Sequence, residues 1–280
     1  MKIAHCIIPL LLLAFSLRPR TLSLSGISAE KHSRILLLTA HPDDETFFFS
    51  PTLTALIHMQ NAGQISDVFA VCLSTGNARG LGKTRIREFE MALEVFGMRE
   101  RNGFILDHPH LQDNKTAFWD PTIIARELYP FIRTYGITTI LTFDAQGITG
   151  HLNHGSALAG AEQLLRDLDN SGGSEDDSES RHNMTTSSRS QAPRLFALHS
   201  RRHATKHLGP IAALPHSLPL RQRRKPETEA LFVASAGDYI TAIRAMMKHP
   251  SQLNLRWTGE FWKGLFSRYL WVNEWFEVVI

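Results

Sequence analysis

Short, wholly apolar runs alternate along the first half of the chain with stretches in which apolar residues recur every three or four positions. Residues 34–39 (RILLLT) and 67–73 (DVFAVCL) show no alternation of polar and apolar positions, the pattern of strands covered on both faces. Residues 137–143 (ITTILTF) are rich in β-branched side chains and read as a third strand, and 104–106 as a short fourth. Residues 46–60 read as a helix. In 84–96, Ile86, Phe89, Leu93 and Phe96 form one buried stripe that Gly97 stops, with Arg85 and Glu88 off the stripe. Asp120 and Pro121 supply the N-cap and first turn of a helix buried through Ile124, Leu128, Phe131, Ile132 and Tyr135, and Gly136 ends it. Leu158, Leu164, Leu165 and Leu168 mark one more helix. Strands alternating with helices predict an α/β fold in three layers, with a mainly parallel sheet and right-handed crossovers. The binding crevice of such a sheet lies at the carboxyl ends of its strands.

The remaining segments break this pattern. Residues 3–17 (IAHCIIPLLLLAFSL) are apolar except for His5 and Ser16. A membrane span needs about 20 residues, so a signal-peptide core is a rival reading. Arg18 and Arg20 follow the run at once, only Lys2 precedes it, and no small-x-small cleavage pattern follows. These features favour an uncleaved anchor over residues 1–20, with the downstream chain kept cytosolic by the positive charges. The globular domain is then 34–280. Within it, 169–190 is rich in Ser, Gly and acids and reads as a disordered insertion. Residues 201–225 are basic and read as a solvated loop, with contact to anionic lipid as the alternative. Trp257, Trp262, Trp271 and Trp275 are interleaved with Arg256, Lys263 and Arg268, which suits either a helix packed on the sheet or a membrane-interface segment.

Composition narrows the class. The 280 residues are 43% hydrophobic and 20% charged, which excludes a wholly disordered chain. With 30 Lys and Arg against 27 Asp and Glu, the net charge of +3 gives no case for nucleic-acid binding. Cys6 lies in the apolar run, so the globular part holds one thiol, Cys72; a disulfide within it and a Cys-rich zinc site are excluded, and a reducing compartment fits best.

Two motifs carry chemistry, each just past a strand end. In His41-Pro42-Asp43-Asp44-Glu45 the first four positions hold one imidazole and two carboxylates, donors suited to a divalent metal, with Pro42 stiffening the turn. Alone, the acids would also suit simple helix capping. Gly150-His151-Leu152-Asn153-His154 follows the strand ending at Asp144, and its spacing can put one imidazole on a metal and the other beside it. The Ser74-Thr75-Gly76-Asn77 loop opens before the Arg85 and Glu88 helix and offers amides to an anion or sugar hydroxyl. A surface ion pair is the plain reading of Arg85 and Glu88. Gly80-Leu81-Gly82-Lys83-Thr84 resembles the end of a phosphate-binding P-loop, but its register is wrong at Gly76 and Asn77, and it leaves the three histidines without a role.

With those residues in hand, the chain resembles the GlcNAc-phosphatidylinositol de-N-acetylases, the PIG-L-like family. The likeness rests on LLLTAHPDDETFFFSPTL, the STGN loop, the Arg85 and Glu88 helix, TFDAQGITGHLNH and a C-terminal SQLNL…FSRYLWVN. It covers residues 34–165 best, and Lys83 departs from relatives that carry an acid there. The resemblance implies a Rossmann-like domain and a divalent metal, zinc, held by His41, Asp44 and His154. It implies Asp43 as general base and His151 as oxyanion stabiliser and proton donor. Asp144 would orient a histidine, and Asn77, Arg85 and Glu88 would touch the substrate or support the residues that do. The implied substrate is N-acetylglucosaminyl-phosphatidylinositol, in the second step of GPI-anchor biosynthesis. The implied location is the endoplasmic reticulum membrane, single-pass, with the catalytic domain facing the cytosol; no required protein partner is identifiable. Two alternatives stand beside it: the same chemistry on a soluble N-acetylglucosamine conjugate, and a non-catalytic sugar- or lipid-binding subunit.

Overall fold

The computed structural model describes residues 20–22, 27, 32–172, 192–202, 205–217, 230–253 and 264–280. The anchor at 1–20 (save Arg20), residues 173–190 of the insertion, residues 203–204 and 218–225 of the basic segment, and Trp257 and Trp262 lie outside them. Among the described residues no helix is long and apolar enough to cross a membrane.

Eight strands form one sheet in the order β1-β7-β8-β6-β5-β2-β3-β4. These are β1 (Arg20–Leu22), β2 (Arg34–Thr39), β3 (Asp67–Cys72), β4 (Gly103–Ile105), β5 (Thr139–Phe143), β6 (Arg194–Leu198), β7 (Ala230–Val233) and β8 (Val272–Val278). The five strands β4-β3-β2-β5-β6 are parallel. The expected mainly parallel sheet is therefore mixed: β8, β7 and β1 extend it antiparallel. Ile35, Leu36, Leu37 and Leu38 of β2 are all buried, as an apolar run at the middle of a covered sheet requires.

Helices cover both faces. α1 (Ser50–Asn61), α2 (Gly82–Phe96) and α5 (Ala236–Met246) pack together on one side. α3 (Pro121–Tyr135) and α4 (Leu152–Gly172) pack against each other on the opposite face. Gly160 permits that second packing, because a Cβ there would stand 2.3 Å from Ile124 Cγ2. The chain leaves β2 toward β3 and β4, then returns to the other side of β2 as β5. The order reverses between β2 and β5, where an open α/β sheet parts to make its crevice.

Several expectations are corrected. The single helix expected over 46–60 is broken at Phe48 and Phe49 into a turn, Asp44–Phe47, and α1. Asp169 to Gly172 continue α4 instead of opening the insertion. The end of the C-terminal aromatic segment forms β8 at Val272–Val278 rather than a helix, and Trp271 and Trp275 are buried in the core instead of facing a membrane. Arg85 and Glu88 are buried, not a surface pair.

Candidate metal-dependent active site

The loops after β2 and β5 meet at the sheet's reversal point. The chain turns sharply after Thr39, and Asp43 takes a φ of 119°, a conformation few side chains adopt. After β5, Ile148 takes a φ of 60°, more costly still for a β-branched residue. Among the described residues these are the two non-glycine positions with positive φ; Asp43 lines the cavity of the site, and Ile148 stands three residues before His151, which also lines it.

That turn aims the carboxylate of Asp44. Its Oδ2 accepts the Ala40 and His41 amides at 3.0 and 2.8 Å, which leaves Oδ1 toward His154 Nε2 at 3.2 Å. His154 donates Nδ1–H to the Gly147 carbonyl at 2.9 Å, so its Nε2 presents a lone pair. Its ring stacks on Phe143 at 4.1 Å. Gly147 itself (φ 57°) has no room for a side chain: a Cβ would stand 2.6 Å from that of His154. His41 is oriented by Asn153. The Asn153 amide donates to the Ala117 carbonyl, so its Oδ1 is the atom facing His41 Nε2 at 3.1 Å. His41 therefore carries its proton on Nε2 and turns Nδ1 toward Asp44 Oδ2, 3.8 Å away.

The electrostatics agree. Burial lowers the His41 pKa to about 4, so the ring is a neutral donor at pH 7. Burial also works against charge on His154, but the Asp44 carboxylate outweighs it and holds that pKa up. Burial opposes ionised Asp44 as well, yet His154, His41 and the His41 amide keep its carboxyl well below the usual range. Asp44 favours a proton on His154 Nε2, the position a cation would take; with that proton displaced, two imidazole lone pairs and a charged carboxylate form a buried donor set that suits a divalent cation. His151 offers a further nitrogen, since one nitrogen from each of His41, His151 and His154 lies within 4.8 Å of the other two.

Asp43 sits beside this set. Burial pushes its pKa up to about 7, with Asp44 adding to the rise and Arg85 opposing it. Both terminal nitrogens of Arg85 are engaged: it lies 3.3 Å from Asp43 Oδ2 and from Asp113 Oδ2, and donates to the Gly76 and Pro42 carbonyls, while its buried Nε has no hydrogen-bond partner. Asp113 was not singled out from the sequence. Its Oδ1 lies 3.3 Å from His41 Nε2 and 3.7 Å from His151 Nε2.

The remaining expected residues lie around the site. Asp144 accepts Gly147 N–H at 3.0 Å and Ser200 N–H at 2.6 Å, so it shapes the turn whose carbonyl orients His154. Glu88 binds Ser251 N–H at 2.9 Å, tying α2 to the segment after α5. Asn77 closes its own loop onto Gly82 N–H at 2.9 Å, so that amide is spent inside the loop and not on an anion cradle. His249, also unforeseen, sits 2.7 Å from Glu45 Oε1, both fully buried, behind the motif. The cavity above these groups measures about 340 Å³, with Arg79, Lys115 and Gln252 at its walls.

The PIG-L family, described as GlcNAc-PI de-N-acetylase, matches residues 36–165. The chain is 32% identical over 244 residues to the N-acetylglucosaminyl-phosphatidylinositol de-N-acetylase of Bos taurus, covering 86% of this chain and 82% of that one. It is 39% identical over 132 residues to the probable enzyme of that name in Schizosaccharomyces pombe, covering 47% of this chain and about half (52%) of that one. The N,N'-diacetylchitobiose deacetylase of Pyrococcus horikoshii has a similar fold, with TM-score 0.58 and 13% identity over 98% of this chain and 92% of that one.

Proposed function

Because the chain belongs to the PIG-L family of GlcNAc-PI de-N-acetylases, we propose that it hydrolyses the acetamide of N-acetylglucosaminyl-phosphatidylinositol. The products are acetate and glucosaminyl-phosphatidylinositol, the second step of GPI-anchor biosynthesis. The observation that carries this reading is the convergence of Asp44 Oδ1 and His154 Nε2 at 3.2 Å, with His41 Nδ1 turned to the same carboxylate.

His41, Asp44 and His154 would hold a divalent cation, zinc in this reading. Two oriented lone pairs and a carboxylate support this set over the three imidazoles, because Asp44 is fixed by two amides while His151 borders the cavity. Such a cation would polarise the acetamide carbonyl and acidify a nearby water. Asp43, raised to about 7 by burial, takes the water's proton as general base near neutral pH. Arg85 holds that carboxylate in place. His151, on the cavity wall beside Asp113, stabilises the developing oxyanion when protonated and delivers a proton to the leaving amine. Water thus supplies the hydroxyl of acetate and a hydrogen of the free amine.

The membrane and orientation follow from the same reading. Residues 1–20 anchor the enzyme in the endoplasmic reticulum membrane, with Arg18 and Arg20 holding the catalytic domain in the cytosol. The test is acetate release from N-acetylglucosaminyl-phosphatidylinositol by purified protein before and after chelator treatment. Release that falls by more than tenfold on chelation and returns with added zinc is expected. Full activity in the metal-stripped protein would end the reading.

A further inference from the structure

Three Lys or Arg side chains line the active-site cavity among the described residues: Arg79, Arg85 and Lys115. They are not equivalent. Arg85 is buried and spends both terminal nitrogens on Asp43, Asp113 and two backbone carbonyls, and its remaining donor, Nε, has no exposure to the cavity's solvent. Arg79 and Lys115 are exposed, and neither is within ion-pair distance of a carboxylate among the described residues. They stand on different loops. Arg79 ends the turn Asn77–Arg79, whose flanking glycines Gly76 and Gly80 have φ of 66° and 71°. Lys115 lies in the loop before α3, and its carbonyl accepts the Leu152 amide beside His151.

The floor between them has the opposite balance. Asp43, Asp44 and Asp113 stand there against the single guanidinium of Arg85. An anionic group is repelled from that floor unless it is the atom under attack, and it is drawn to the two unneutralised cations. A substrate whose acetamide reaches the histidines while a negative charge lies further along the molecule matches this division.

We infer that Arg79 and Lys115 form a subsite for a phosphodiester carried beyond the amino sugar. The inference rests on the deacetylase reading and adds the feature by which this chain selects a phosphate-bearing substrate over a neutral amino-sugar conjugate. Both residues act on substrate capture and leave the chemical step alone, so their loss falls on KM.

Three probes test it with wild type and the R79Q/K115Q variant: N-acetylglucosaminyl-inositol, its water-soluble glycerophosphodiester, and N-acetylglucosaminyl-phosphatidylinositol in neutral phosphatidylcholine vesicles. Expected is a KM rise of about tenfold on both phosphodiesters, with kcat retained and the phosphate-free probe unaffected, as for two charge-assisted contacts at an exposed wall. The R79K/K115R exchange should restore most of the affinity. Equal loss on all three probes, no loss on any, or loss confined to vesicles would overturn the subsite, the last by assigning the cations to the bilayer surface. Wild-type protein that releases acetate from none of the probes would overturn the deacetylase reading, and the subsite with it.

Discussion

The parallel and antiparallel parts of the sheet handle polar groups in opposite ways. At the carboxyl ends of the parallel strands, charges are left facing a cavity and the backbone is strained at Asp43 and Ile148. In the antiparallel part, the buried charges close on one another, with only Arg268 Nε and Trp271 Nε1 left unpartnered there among the described residues. Glu274 of β8 takes Arg268 at 3.1 Å and also pairs with Arg201. Asn273 binds Thr52 Oγ1 at 2.8 Å and the Phe48 carbonyl at 2.8 Å. Strain and uncompensated charge persist only where surrounding structure holds them, and here that support is the antiparallel part and the segment after α5. His249 and Ser251 are its reach into the site, through Glu45 and Glu88. One part does chemistry and the other keeps it in position.

The sharpest way to break that division is to change the chemistry without touching the frame. Asp43→Asn keeps the shape and the Arg85 contact but removes the proton acceptor. Turnover should fall by about a thousandfold, the scale of a lost general base, while bound metal measured by elemental analysis stays near wild type. Near-normal acetate release would remove Asp43 as the base.

A smaller effect is expected from the turn that orients a ligand. Gly147→Ala introduces a Cβ 2.6 Å from that of His154 and forces a positive φ on alanine. His154 must swing, and metal affinity should drop by about 10- to 100-fold, as when an outer partner of a metal ligand is lost. Competition with a chromophoric chelator reads this directly. Unchanged affinity would mean that the Gly147 carbonyl does not set the ring.

Much of the parallel part was legible because its signals are local. Fully covered strands give unbroken apolar runs, so β2, β3 and β5 stood out, and Asp120 with Pro121 marked the start of α3. The meeting of His41, Asp44 and His154 was legible for a related reason, since their motifs follow the ends of β2 and β5. Asp113 was not, because its loop (HPHLQDNK) has the polarity of any solvated connection and only tertiary folding sets it between His41 and Arg85. His249 follows a helix end and meets Glu45 from 204 positions away. β1 and β7 are only three and four residues long, and β8 (VNEWFEV) breaks its apolar run with Asn273, Glu274 and Glu277, which hid the sheet's second part. One signal there was readable: Ser235 and Asp238 form a capping box that opens α5, three positions apart as the motif requires.

The least effect on turnover should come from Glu274→Gln, which damages the frame alone. Burial works to raise the Glu274 pKa, but Arg268 and Arg201 outweigh it and hold the carboxyl below its reference value of 4.5. A depressed native pKa means that the stabilisation is fully present above the unfolded value and is lost as pH falls through the native one. Removing the charge leaves the Arg268 guanidinium buried without its counter-charge, a loss of about 3 kcal/mol at pH 7. The deficit should narrow as the pH drops below 4.5, because the unfolded wild-type chain then takes up a proton, and it closes once the native carboxyl protonates at its lower pKa. Denaturant unfolding at pH 7 and at acid pH measures both quantities. Glu274 does not line the cavity, so kcat/KM of the folded fraction should stay within about threefold of wild type, on the scale of a change remote from the chemistry. If Glu274→Gln instead cut turnover as deeply as Gly147→Ala while leaving stability intact, the antiparallel strands would have to be counted as part of the catalytic apparatus.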